Sequence, residues 1–421
     1  MNDPDPMCVT SESADLREAM VSELATGAPF VNSAVLDAMR VVPREAFVPS
    51  YFRWAEGSFR LVRGKTDPEE WLSGAYRDQP LATQLDGTVH ADDAADDADA
   101  KRWQGTPTCS ASQPSLVARM LDMPAVFEPG ARVLEIGTGT GYNAALLCEL
   151  TGSRNVYSIE YDPTLAATAT AHLTAAGYKP KVIVGDGGIG YADGAPFDAI
   201  ITTCSFPAVY PAWLEQLSSK GVAVVNLITG IPVGFLVELT IDVPGTATGR
   251  IVAQRAWFMP TRLKPTNHAL ALNGRASTDG ATSRPTQLRW TDVEAADGLY
   301  VLTALLLDAH LLVSFNDDGG KQYGLFTDDG SAAIHEDGHV QESGPRRLWS
   351  ELEEIAGQWA QLGQPERDEF ELSIGYGTGA AVTTVVHPES GWSARATGVT
   401  VDRATYQVTP DPPDLPDPRV P

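Results

Sequence analysis

Cysteine is scarce in this chain, four among 421 residues (Cys8, Cys109, Cys148 and Cys204), and no two stand in a C-x-x-C pair. That spacing offers neither a disulfide framework nor a thiolate cage, and the seven histidines add no H-E-x-x-H or comparable cluster, so no metal is expected. The thiols read as reduced ones of a cytoplasmic protein. Cationic side chains are also in the minority, 30 Lys and Arg against 55 Asp and Glu, for a formal net charge of -25. A surface that neutralises phosphates needs the opposite balance, which excludes nucleic acid as the expected partner. Long hydrophobic runs are missing too. The most apolar stretch, Gly221 to Val237, is interrupted by Asn226, Gly230 and Pro232, and the acidic N-terminus has no apolar leader core, so a soluble chain with no membrane partner is expected. The length suggests two domains, each with an ample core, and a monomer is expected.

What is present is concentrated in Val133-Leu134-Glu135-Ile136-Gly137-Thr138-Gly139-Thr140-Gly141-Tyr142-Asn143. An apolar strand carrying Glu135 runs into three alternating glycines, and Asn143 to Leu150 is predicted to be helical, which is the strand, turn and helix of a nucleotide site. Gly137 and Gly139 lack the Cβ atoms that would hold a ligand away from the backbone, and a helix N-terminus presents free N–H groups.

Two further acids follow at strand ends. Asn155 to Ile159 reads as a second buried strand closed by Glu160, where a carboxylate can accept both hydroxyls of a ribose. Val182 to Gly185 reads as a third, closed by Asp186-Gly187, whose carboxylate can hold an adenine amino group. A dinucleotide dehydrogenase would more often show G-x-G-x-x-G and has no special use for the Asp-Gly. The expected cofactor is S-adenosylmethionine, with S-adenosylhomocysteine as product. Strands at Phe197 to Thr202 and Val222 to Leu227, with a helix near Ala212 to Leu217, complete an alternation from 131 to 228 that predicts a doubly wound parallel sheet.

Upstream, Asp15 to Leu24 and Ser33 to Met39 have helical spacing, with Ser33 as a cap and Val42-Pro43 as the stop. Ala91 to Ala100 contains only Ala and Asp, so residues 88–105 are expected to be a mobile loop, either a solvated insertion or a flap over a substrate. Ser110-Ala111-Ser112-Gln113-Pro114 precedes a helix whose apolar positions are Leu116, Val117, Met120 and Leu121, and Ser112 is either its cap or a functional hydroxyl.

Several segments, in order, resemble the protein-L-isoaspartate O-methyltransferases: Val42-Pro43-Arg44-Glu45-Ala46-Phe47-Val48-Pro49, Tyr76-Arg77-Asp78-Gln79-Pro80-Leu81, Ser110 to Pro114, Val133 to Tyr142, Gly185-Asp186-Gly187 and Ala195 to Ile201. The resemblance spans roughly residues 15 to 230 and implies methyl transfer from S-adenosylmethionine to the α-carboxylate of an isoaspartyl residue. It implies that Ser112 is the active-site serine, catalytic by positioning and also in reach of the cofactor. Cofactor contacts are then expected from Glu135, Gly137, Thr138, Gly139, Gly141, Tyr142, Asn143, Glu160, Tyr161, Asp186, Gly187 and Thr203, and substrate contacts from Leu81, Thr83, Gln84, Ser110 and Cys204. A carboxylate of ordinary pKa, about 4, is already ionised at neutral pH, so no general base is required.

Other features look like a divergent branch that accompanies ATP-grasp enzymes in maturing crosslinked ribosomal peptides (graspetides), with relatives acting on lanthipeptides or lasso peptides. They are Asp78 to Asp86, Thr202-Thr203-Cys204, Pro345-Arg346-Arg347-Leu348-Trp349-Ser350-Glu351-Leu352, Trp359 and Gly363-Gln364-Pro365. In that branch the resemblance implies methylation of an ordinary aspartate in a macrocyclic precursor peptide, leading to aspartimide and then isoaspartate. The alternative is general repair of aged proteins. An acidic enzyme and an acidic peptide repel one another, so Arg346 and Arg347 are expected to form a receiving patch.

The resulting expectation is a Rossmann-like α/β class I methyltransferase domain over 1–262 and an accessory, substrate-recognising α+β domain over 263–421. In the latter Leu299 to Val313 is apolar, Leu348 to Leu362 is helical, Ala380 to Val386 is strand-like, and Trp349 and Trp359 are core residues or peptide anchors. The Pro- and Asp-rich tail from Pro410 is expected to be loosely draped.

Overall fold

The computed structural model describes residues 11–27, 32–94, 102–123, 126, 130–243, 245–261, 281–315, 321–376, 381–397, 400–401 and 408–409. The chain divides into two compact units, one of residues 1–204 and 216–224, the other of residues 205–215 and 225–421. The boundary drawn from the sequence at 262/263 lies inside the second unit. Among the described residues no helix is long and apolar enough to cross a membrane.

The first unit begins with helices α1 (Ser11–Gly27) and α2 (Ser33–Val41). The cap of α2 is Asn32 rather than Ser33: its side chain accepts from Ala34 N–H at 2.9 Å. An antiparallel sheet absent from the sequence reading follows, built from β1 (Ser50–Ala55), β2 (Ser58–Arg63), β3 (Leu81–Leu85), β4 (Val89–His90) and β5 (Pro107–Ala111), with α3 (Pro68–Ala75) inserted. Glu56 and Gly57, at φ 50° and 78°, make the tight β1–β2 turn whose handedness matches strand twist. Two register shifts interrupt the β3–β5 pairing, which blurs the alternation that would have announced it.

That sheet corrects the reading of the acidic segment. Ala91 and Ala94 are buried in a cluster with Phe52, Phe59 and Leu85, and their carbonyls accept from Arg63 Nη2. The start of the Ala/Asp run is therefore docked, because alanine is small enough to fill a core between aspartates that face outward. Residues 95–101 lie outside the described residues.

The expected parallel alternation follows in chain order, with nearly all of α7 and the last residues of β9 and β10 falling in the segments that belong to the second unit: α4 (Pro114–Leu121), β6 (Val133–Ile136), α5 (Tyr142–Thr151), β7 (Val156–Glu160), α6 (Pro163–Ala175), β8 (Lys181–Val184), β9 (Phe197–Phe206), α7 (Pro211–Gln216) and β10 (Leu217–Leu227). The order β10-β9-β6-β7-β8 puts fully buried β6 at the point where strand order reverses, with parallel registers Val133↔Val156 and Val133↔Ala199. Ligands of such sheets sit beyond the strand C-termini at that reversal. β9 continues four residues past Thr202, so Thr203 and Cys204 belong to the strand rather than to the segment after it.

The second unit is α+β, with antiparallel strands β11 (Phe235–Val243), β12 (Thr246–Arg255), β13 (Thr282–Pro285), β14 (His310–Phe315), β15 (Lys321–Phe326), β16 (Ala332–Glu336), β17 (His339–Ser343), β18 (Glu371–Gly375), β19 (Val382–His387) and β20 (Trp392–Arg395). They form the orders β20-β19-β18-β12-β11 and β13-β17-β16-β15-β14. Helices α8 (Trp290–Ala295), α9 (Asp297–Leu306) and α10 (Leu348–Gln361) accompany them. The apolar run Leu299 to Val313 is shared between α9 and β14. Trp349 is fully buried and Trp359 Nε1 donates to the Pro365 carbonyl at 2.9 Å, so both indoles serve the interior of this unit. Residues 410–421, the tail, lie outside the described residues.

Candidate functional site

The glycine loop leaves β6 under tight restraint. A Cβ on Gly137 (φ 104°) would lie 2.8 Å from Thr203 Oγ1, and that hydroxyl donates to the carbonyls of Ile136 and Gly137 at 3.0 and 2.5 Å. Gly137 is thus required by Thr203, which clasps the loop from β9. At Gly139 the nearest atom to such a Cβ is the Ser110 carbonyl of β5, 3.6 Å away. Gly141, at φ 91°, opens α5 against Leu173 of α6.

Glu160 ends β7 facing this loop. Its Oε2 accepts from Gly139 N–H at 2.9 Å and its Oε1 from Asp162 N–H at 3.1 Å. Each carboxylate oxygen retains a lone pair for a diol. Asp186 caps the 3-10 turn Gly187–Ile189 through Oδ1, which accepts from Gly188 N–H at 2.7 Å, while Oδ2 has no partner among the described residues. Strand pairing holds the two acids in register, since Glu160 stands opposite Val184 and Gly185 N–H donates to the Glu160 carbonyl at 2.9 Å. Tyr161 and Ile189 flank them and are 53% and 48% exposed. An apolar, half-exposed rim around two carboxylates suits a flat purine on a ribose.

Glu135 differs from the other acids. It is fully buried, accepting from Asn143 Nδ2 at 2.7 Å and from the Ser158 hydroxyl at 2.5 Å, and Ser158 in turn meets the Thr138 hydroxyl at 2.6 Å. Loss of hydration pushes its carboxyl up to about 7; the Ser158 and Asn143 donors oppose the shift, and the Glu160 charge adds to it. The side chains of Glu135, Thr138 and Asn143, expected at the cofactor, are therefore spent on one another and brace the loop from within. Tyr142 is buried as well, with its hydroxyl unpartnered among the described residues and its ring 5.9 Å from that of Phe47.

Ser112 follows β5, two residues beyond Ser110, whose carbonyl would lie 3.6 Å from a Cβ at Gly139. It is half-buried, and its hydroxyl makes no hydrogen bond among the described residues. The helix-cap reading of Ser112 fails for a specific reason. Asp78 takes that role from outside the helix, accepting from Ser115 N–H at 2.8 Å and from Gln113 Nε2 at 3.0 Å.

Sequence reasoning gave Arg44 no role, yet it positions this segment. Its guanidinium is completely buried and donates to the carbonyls of Ala75 (2.6 Å), Arg77 (3.4 Å), Gln79 (3.1 Å), Ala111 (3.3 Å) and Ser112 (3.0 Å). Burial lowers its pKa to about 10, which leaves it cationic at neutral pH. The only signal was a charged residue inside the otherwise apolar segment Val42 to Val48.

The expected substrate contacts separate. Leu81 is buried opposite Ala111, and Thr83 Oγ1 is buried without a partner among the described residues. Gln84 is fully buried, donating to Gly87 carbonyl and Asp162 Oδ2 at 3.1 Å each and accepting from Thr108 at 2.8 Å, so it ties β3 to the turn after Glu160. Cys204 directs its thiol to the Ile136 carbonyl at 3.6 Å, and burial pushes that thiol up, leaving it protonated. Arg346 and Arg347 are in the second unit. Arg346 is engaged by Glu351 (3.0 and 2.5 Å) and by the Asp308 carbonyl (2.8 Å), whereas exposed Arg347, among the described residues, reaches only the Gly344 carbonyl at 3.2 Å. A two-arginine patch is thus reduced to Arg347.

Comparison with known proteins adds to this geometry. The family model described as protein-L-isoaspartate(D-aspartate) O-methyltransferase matches residues 63–234. The protein-L-isoaspartate O-methyltransferase of Koribacter versatilis is 38% identical over 201 residues, 48% of this chain and 68% of that protein. Protein-L-isoaspartate O-methyltransferase 2 of Archaeoglobus fulgidus is 35% identical over 234 residues, 54% of this chain and 84% of that protein. A solved structure of a protein-L-isoaspartate O-methyltransferase aligns with a TM-score of 0.49 and 20% identity, over 86% of this chain and 97% of that one.

Proposed function

This chain belongs to the protein-L-isoaspartate O-methyltransferase family, and from that premise we propose that its substrates are isoaspartyl residues in unstructured segments of peptides and aged proteins. It is a carboxyl O-methyltransferase with the class I fold and S-adenosylmethionine as methyl donor. The bound cofactor supplies an electrophilic methyl group on a sulfonium centre.

The residues present fit that group. Glu160 would hold the ribose hydroxyls and Asp186, through its unpartnered oxygen, the adenine amino group. The backbone of Gly137 to Gly141 would take the amino-acid portion, with Thr203 fixing the loop. Thr138, Tyr142 and Asn143 would act beneath this surface, and Tyr161 beside the ring.

The observation that carries the reading is Ser112. A half-buried hydroxyl without a partner among the described residues, on a backbone pinned by Arg44 and next to the strand whose Ser110 carbonyl faces Gly139, is available to orient a carboxylate. The acceptor carboxylate is ionised without help, so the work is alignment of oxygen, methyl carbon and sulfur and exclusion of water. Ser110 and Thr83 would supply further hydroxyls for the same pocket. The ester formed has a better leaving group than the carboxylate; the following amide attacks it, methanol leaves, and the succinimide opens by hydrolysis.

A second reading, methylation of an aspartate in a macrocyclic precursor peptide, is favoured by one fact: the family model stops at residue 234 of 421. On that reading the region from 263 would recognise the peptide, with Arg347 as a contact. Mass spectrometry separates the two. The enzyme and S-adenosylmethionine are given a generic isoaspartyl peptide, a neighbouring-gene precursor after crosslinking, and its linear form. A methyl ester on the generic peptide supports repair; methylation followed by methanol loss on the crosslinked peptide alone overturns it in favour of maturation.

A further inference from the structure

Far along the sequence from the methyltransferase motifs, the second unit brings together Glu369, His387 and Glu389. One ring nitrogen and one oxygen of each carboxylate all lie within 4.8 Å of one another. We propose that these three side chains bind a divalent transition cation of the Zn2+ or Mn2+ class, which clamps the turn before β18 to the β19–β20 hairpin.

Each ligand is held by the local fold. Glu369 ends the 3-10 turn Arg367–Glu369, where its Oε1 accepts from Glu366 N–H at 2.7 Å, leaving the other oxygen for a ligand. That turn runs into β18, whose Glu371 pairs with Val386, the neighbour of His387. Glu389 lies in the β19–β20 turn, closed by Gly391 at φ 72°, whose N–H donates to the His387 carbonyl at 3.0 Å.

The histidine is the informative member. It is 4% exposed, packed 5.6 Å from the ring of fully buried Phe370, and its Nδ1 lies 2.8 Å from Ser390 Oγ. Nε2 has no partner among the described residues. One ring nitrogen fixed by a hydrogen bond and the other left as a lone-pair donor is the arrangement that prepares an imidazole for a metal. The two glutamates add a second, electrostatic observation. Neither forms an ion pair with any described Lys or Arg, although their oxygens are close enough to repel.

One nitrogen and two carboxylate donors select the cation. Ca2+ and Mg2+ favour all-oxygen shells, whereas imidazole with carboxylates suits Zn2+ and Mn2+. Ligand atoms around Zn2+ stand about 3.3 Å apart at bond lengths near 2 Å. The exposed glutamates can close that difference by rotamer changes, and water would complete the shell. Glu369 and His387 are too far apart in sequence to register as a motif, which is why no metal was expected.

The test uses the full chain after chelator treatment, titrated separately with ZnCl2, MnCl2 and CaCl2 by calorimetry, with melting followed in parallel. The expected result is one Zn2+ or Mn2+ per chain, a higher melting temperature, no comparable Ca2+ binding, and affinity reduced about tenfold or more in both His387→Ala and Glu389→Gln. The metal-free melting transition and far-ultraviolet circular dichroism of the same samples report whether each variant is folded; should buried His387→Ala fail to fold, exposed Glu389→Gln decides alone. No stoichiometric binding, or unchanged affinity in folded variants, overturns the proposal.

Discussion

The guanidinium of Arg44, itself fully buried, lies 3.0 Å from the main-chain carbonyl of half-buried Ser112. Arg44 also gathers carbonyls from residues 75 to 79, so one planar cation sets the geometry between the 75–79 segment and the 111–112 segment. A lysine offers three donors from a single point and cannot span that set. Arg44→Lys should therefore displace Ser112, lowering kcat by about tenfold to 100-fold while the S-adenosylmethionine Kd changes little. Steady-state kinetics with an isoaspartyl peptide and a binding titration check this. Equal losses in cofactor affinity and turnover would mean that Arg44 merely supports the fold.

Ser112 itself should behave differently from a cap. Because Asp78 supplies the capping acceptor of α4, Ser112→Ala removes no hydrogen bond among the described residues and should leave the melting temperature nearly unchanged. Turnover should fall by about 100-fold, the usual cost of losing one donor aimed at reacting oxygens. Asp78→Ala should do the reverse, destabilising the protein by about 1 kcal/mol with a smaller direct effect on methyl transfer. Thermal melts and kcat on the two variants distinguish the roles.

The parallel part of the fold was legible because it is local: β6, β7 and β8 are short apolar runs that end in Glu135 or its loop, in Glu160 and just before Asp186, and each helix begins at a glycine or proline signal. The β1–β5 sheet was not, because its register shifts break the alternation and its core borrows alanines from an acidic run. Arg44, Asp78 and Gln84 act on groups 37 or more residues away or on several carbonyls at once, relations no spacing rule encodes. Glu135 was legible as an acid in the right place, but burial, and hence its role inside the loop, depends on Ser158 and Asn143 closing over it.

The two acids at the rim should control cofactor affinity. Glu160 presents a charged acceptor and Asp186 one unpartnered oxygen, and a charge-assisted hydrogen bond contributes about 1.5–3 kcal/mol. Glu160→Gln and Asp186→Asn should each weaken S-adenosylmethionine binding by about tenfold to 100-fold. Glu160→Gln should have the larger effect, because its carboxylate also accepts the Gly139 N–H that shapes the loop. Calorimetric titration of both variants with S-adenosylmethionine checks the order.

Glu135 makes a pH-dependent contribution whose sign follows from its raised carboxyl, about 7 in the fold against 4.5 for the unfolded side chain. A native state that holds the proton more tightly gains stability fully below pH 4.5 and loses it as pH rises through about 7. At 1.36 kcal/mol per pKa unit the difference amounts to about 3 kcal/mol at most. Glu135→Gln is neutral at every pH and keeps both contacts, because the Ser158 hydroxyl can turn its proton to Thr138 and accept from the new amide. Urea midpoints measured at pH 5 and pH 8 should fall more steeply for the parent than for Glu135→Gln, with the variant relatively more stable at pH 8. A parallel pH dependence in both proteins would show that Glu135 stays ionised in the fold, its desolvation fully offset by the Ser158 and Asn143 donors.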